Sequence, residues 1–95
     1  MKSISKLVKQ SIVMMLCCFL FACGGAEDRK NKYMESGKAY LLEKNYDKAK
    51  IEFKNVIQID PKFSIAYYYS GEVEKHNGNW KKAYGNYKKA HELDS

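Results

Sequence analysis

Residues 11–22 are an almost unbroken apolar run, while from residue 23 onward apolar and polar positions are mixed at helical spacing. The first block has the length of a signal-peptide core and falls short of the roughly 20 apolar residues a membrane-crossing helix needs. Lys2, Lys6 and Lys9 precede it as a basic flank, and the polar run from Glu27 to Lys32 follows it. In the second block, residues near 30–43, 46–59, 65–77 and 80–93 read as four helices. Lys44-Asn45 and Asn77-Gly78-Asn79 separate them in pairs, because Asn and Gly accept the left-handed conformation that closes a helix. Pro61 ends the second helix, and Ser64 is placed to cap the third.

The four helices are two copies of one unit. Tyr33, Ser36 and Gly37 return as Tyr67, Ser70 and Gly71; Asn45, Tyr46, Lys48 and Ala49 as Asn79, Trp80, Lys82 and Ala83; Phe53, Ile59 and Asp60 as Tyr87, Leu93 and Asp94. The offset is always 34, and self-similarity at this period predicts an all-α solenoid of stacked helix–turn–helix repeats. Gly37 beside Ala49, and Gly71 beside Ala83, would let paired helices approach closely. Tyr33, Tyr40, Phe53 and Ile57 would fill the first contact, and Tyr67, Trp80 and Tyr87 the second. The predicted organisation is a signal segment 1–22, a linker 23–29, one repeat at 30–63 and another at 64–95.

These residues resemble the tetratricopeptide repeat family. Tyr33, Gly37, Tyr40, Ala49, Phe53 and Pro61 stand at the family's characteristic places in the first copy; Tyr67, Gly71, Ala83, Tyr87 and Ala90 do so in the second. Ser36 and Ser70, Val56, Glu74 and Ser95 depart from it. The resemblance implies a module that binds a peptide or helix on the face lined by the first helix of each repeat. Carried over by position, that groove holds Met34, Lys38, Leu41 and Leu42, then Ile65, Tyr68, Tyr69, Glu72, Lys75 and His76, with Asn31 and Glu35 beside them. Tyr68 and Tyr69 are the expected hot spot, with Tyr67 facing the core. The Lys/Asn clamp of carboxylate-gripping relatives is missing, which leaves a mixed apolar and aromatic groove.

The stretch Leu20-Phe21-Ala22-Cys23 resembles a bacterial lipobox, with Phe21 bulkier than usual. The resemblance implies cleavage before Cys23 and lipidation of its thiol. Several acyl chains would give a stable anchor. Gly24, where inner-membrane retention would use Asp, implies the outer membrane, facing the periplasm. Lipoproteins of this kind scaffold pilus assembly, outer-membrane protein insertion or exopolysaccharide export. The alternatives are a non-catalytic regulatory subunit of an envelope polysaccharide or cell-wall enzyme, and a truncated piece of a longer array.

Charge and chemistry narrow the choice further. Of 17 basic residues, three lie in the signal segment, so 14 face 11 acidic ones and the net charge of +6 falls to +3. The rest alternate in sign along helix faces, and Arg29 is the single arginine, so nucleic acid is not an expected partner. No nucleophile–base constellation and no phosphate loop is present, and no cofactor, metal or catalytic activity is expected. One cysteine would survive cleavage, without an intrachain partner. Two repeats are few, because a solenoid unit cannot bury its own apolar face. Tyr84, Tyr87 and Ala90 would lie at an open end, covered by self-association, by a partner or by further repeats.

Overall fold

The computed structural model describes residues 25–94, and they are all-helical, with no strand among them. Helix α1 covers residues 25–42, α2 Tyr46–Ile59, α3 Ser64–His76 and α4 Trp80–Asp94. The expected signal segment 1–22, Cys23, Gly24 and Ser95 lie outside the described residues. No described helix is long and apolar enough to cross a membrane.

The turns repeat in detail. After α1, the Asn45 N–H donates to Tyr40 O (2.8 Å) and the Lys44 N–H to Leu41 O (3.1 Å). After α3, the Asn79 N–H donates to Glu74 O (2.8 Å) and the Gly78 N–H to Lys75 O (3.0 Å). Both are Schellman closures, which satisfy carbonyls the helix end leaves open. The left-handed residue is Gly78 in one (φ 78°) and Lys44 in the other (φ 62°). Asn45, expected to share that conformation, has φ −91° and instead caps α2, its side chain accepting from the Lys48 N–H at 3.4 Å. A side chain at Lys44 is strained where glycine is not. Lys44→Gly should therefore raise stability by about 0.5–1 kcal/mol, allowing for the greater freedom of glycine in the unfolded chain. A urea unfolding midpoint that stays or falls would contradict this.

The α2–α3 connection differs from expectation. Ser64 does not cap α3: it is the first helical residue, and Phe63 is the cap residue, with no side-chain hydrogen bond. The turn is fixed by other groups. The Asp60 carboxylate accepts from the Lys62 N–H (3.2 Å), and the Tyr67 hydroxyl donates to Pro61 O (2.8 Å).

Each helix pair closes around a glycine. Gly37 lies eight residues before Asn45 and Phe53 eight after it, so an antiparallel hairpin brings them face to face. Gly71 and Tyr87 stand in the same relation to Asn79. The core runs through Met34, Ala49, Phe53, Val56, Ala66 and Val73, with Tyr33, Tyr40, Leu41, Ile57, Phe63 and Tyr69 packed around it. Helix α4 contributes only Ala83 to the buried residues. Apolar burial is thus concentrated in α1–α3.

Candidate functional site

Helix α2 meets α3 antiparallel, and its outer stripe is fully used. Tyr46 stacks on His76 (ring centroids 5.0 Å apart), Lys50 pairs with Glu74 (2.9 Å) and Phe53 stacks on Tyr69 (5.5 Å). Helix α4 carries the equivalent stripe as Trp80, Tyr84 and Tyr87. Trp80 is 66% exposed and Tyr84 69%, because no described helix covers α4 as α3 covers α2. Trp80 is therefore not the core filler expected of it.

At this open side lies a cleft of about 410 Å³, with Ile65, Tyr68, Tyr87 and Ala90 as its walls and Ser64, His91 and Asp94 at its rim. Tyr68 rests on Tyr87 with ring centroids 5.8 Å apart, and the Tyr87 hydroxyl donates to the Glu72 carboxylate. Burial and that carboxylate together push the Tyr87 phenol well above its usual pKa, so it stays a neutral donor. Moving 34 residues back, the corresponding positions include Met34, Phe53 and Asp60, and there the cleft is filled. Phe63 packs against the core, with the Lys30 ammonium 4.5 Å from its ring centroid and 3.3 Å from Asp60. Met34 is consequently 5% exposed, whereas Tyr68 at the equivalent place is 48% exposed.

The residues of the expected groove are divided between core, cleft and surface. Met34 is not a groove residue: α3 covers it, and it belongs to the core. Tyr69 also turns inward, onto Phe53 and under the Lys38 ammonium (5.3 Å from its ring centroid). Tyr67, expected in the core, is half-buried at the Pro61 turn instead. Leu41 is half-buried against the core, and Leu42 is 86% exposed. Ile65 and Tyr68 enter the cleft, Glu72 holds Tyr87, Lys75 is exposed, and His76 is occupied by Tyr46. The contribution of His91 and Asp94 was missed; the offset from Ile57 and Asp60 would have shown it.

Glu74 is one of two buried charged side chains among the described residues, and its role is structural. It accepts from Lys50 and from the Asn79 side chain (2.8 Å). Burial by itself would raise its pKa, but these two donors outweigh burial and hold it below the ordinary 4.5. A depressed carboxyl pKa gives stability that is present above the unfolded value and lost as pH falls through the folded one. Thermal unfolding temperatures should fall as pH drops below 4.5, and Glu74→Gln should flatten that dependence. An unchanged slope would place the acid sensitivity elsewhere.

Among the described residues no group of three or more His, Cys, Asp or Glu side chains could hold a metal ion. No protein-family model matches the chain, and no curated protein matches it in sequence.

Proposed function

We propose that this chain is a membrane-tethered adaptor of a bacterial envelope assembly, with two tetratricopeptide-like repeats that dock a helix or apolar peptide. The resemblance around Cys23 supports the tether, and the 34-residue recurrence of turns, glycines and ring contacts supports the repeats. One observation carries the binding reading. The Tyr68 cleft stands open at the position where, one repeat earlier, the chain's own following helix fills the space around Met34. A surface like the one that accepts a helix inside the molecule is presented again on α3 and α4, where no described helix covers it. Its apolar walls and polar rim suit an amphipathic helix, whose apolar side would lie on Ile65 and Tyr68. The working groove on this reading is Ile65, Tyr68 and Tyr87 of the cleft, extended by Lys38, Leu41, Leu42, Glu72 and Lys75. The chain acts by positioning other proteins rather than by catalysis.

The test is capture from bacterial envelope extract by the wild-type chain and by Ile65→Ser/Tyr68→Ala. Both residues are about half exposed, so the variant should stay helical while losing the retained partner. Equal recovery by both chains would remove the cleft from the binding site.

A further inference from the structure

We propose that the helix seated on the α3–α4 end is α1 of a second copy of this chain, stacked head to tail. The inference rests on the binding reading above and names the occupant. Inside the molecule, α2 and α3 meet in antiparallel register, Tyr46 against His76 and Phe53 against Tyr69. The repeat offset carries α2 onto α4 and α3 onto α1. The same register between two copies then sets Trp80 against Leu42 and Tyr87 against Glu35. Both members of the first pair are exposed, Leu42 at 86% and Trp80 at 66%. Two faces that no described helix covers thus match the two halves of a junction that the chain already makes internally.

Charge selects this arrangement over a two-fold pairing of α4 with itself. Lys81, Lys82, Lys88 and Lys89 would bring like charges together in an α4–α4 contact. Against α1 in the transferred register, Lys81 falls beside Glu43 and Lys88 beside Glu35. The Lys50–Glu74 contact carries over as Tyr84 beside Tyr40. Arg29 reaches the rim of the cleft, where Asp94 stands. Such a contact is heterologous: each copy keeps one free face of each kind, so the array grows by addition rather than closing as a dimer.

The test mixes full-length Leu42→Cys chain with isotope-labelled full-length Trp80→Cys chain in detergent, followed by mild oxidation and peptide mapping. The expected product is a disulfide joining position 42 of one chain to position 80 of the other. Links through the native Cys17, Cys18 and Cys23 are separated by peptide mass. Adding Glu35→Lys to the first chain should abolish the 42–80 link, and adding Lys88→Glu to the second should restore it. A labelled 80–80 link without a 42–80 link would overturn the proposal in favour of two-fold pairing. Absence of any link at residues 42 and 80 would overturn it outright. If partner capture still depends on Tyr68 in either of those cases, the binding reading stands and only the second copy falls.

Discussion

Phe53→Ala is expected to remove at least about a third of the chain's stability. Phe53 is fully buried and sits where three helices meet: its ring lies against Gly37 of α1 and stacks on Tyr69 of α3. Truncating a buried phenylalanine costs about 3–5 kcal/mol in lost transfer energy and residual cavity. A helical unit of this size has a total stability of about 4–10 kcal/mol, so one truncation removes about a third of it or more. Relaxation is limited because Ala49 and Ala66 beside the site are too small to fill the space. Tyr87→Ala removes the same repeat position from α4, where the ring is half-buried and borders an open cleft. There the loss should be nearer 1–2 kcal/mol, about half of a full burial. Urea denaturation followed by far-UV circular dichroism compares them directly. Equal losses would mean that the second helix pair is packed as tightly as the first, against the burial pattern.

That difference between two equivalent positions also marks the limit of what was legible in the sequence. The periodicity of 34 located α2, α3 and α4 to within about a residue, since Tyr46–Ile59 and Trp80–Asp94 begin at the paired aromatic positions of the two copies, whereas α1 begins at residue 25, inside the expected linker 23–29. It also identified the glycine contacts, because Gly37 and Gly71 recur opposite an aromatic ring each time. It could not say which equivalent residue is covered. Met34 and Tyr68, or Tyr46 and Trp80, share a place in the repeat, but coverage comes from the next helix along the stack. Position within the unit sets orientation, and the neighbouring unit sets burial. The assignment of Tyr67 rather than Tyr69 to the core failed for a related reason. A run of three tyrosines leaves the phase of the helix open by a residue, and the contact of α3 with α2 settles it. The left-handed Lys44 was missed because no local preference marks lysine for that conformation, although Gly78 holds the equivalent place in the second copy.

Gly37→Ala should destabilise the chain by about 1–3 kcal/mol, the range for overpacking a well-filled core, despite the usual gain of replacing glycine inside a helix. A methyl group on Gly37 would stand 2.6 Å from Cε1 and 2.8 Å from Cζ of Phe53, closer than carbon atoms tolerate. The ring cannot withdraw, because the far side is filled by Tyr69 and the buried cluster. The two helices must therefore separate, loosening the whole first pair. Gly71→Ala meets a similar geometry, 2.8 Å from Cε1 of Tyr87. That ring can swing toward the cleft at the expense of its bond to Glu72, so the loss should stay within about 1 kcal/mol and change sign if the swing is free. A double-mutant cycle isolates the cause. Phe53→Leu shortens the side chain facing Gly37, so Gly37→Ala in that background should lose much of its penalty, giving a coupling on the order of 1 kcal/mol or more. Strict additivity would show that the glycine serves helix geometry and not the close approach, and that the small residue at this repeat position has no part in joining α1 to α2.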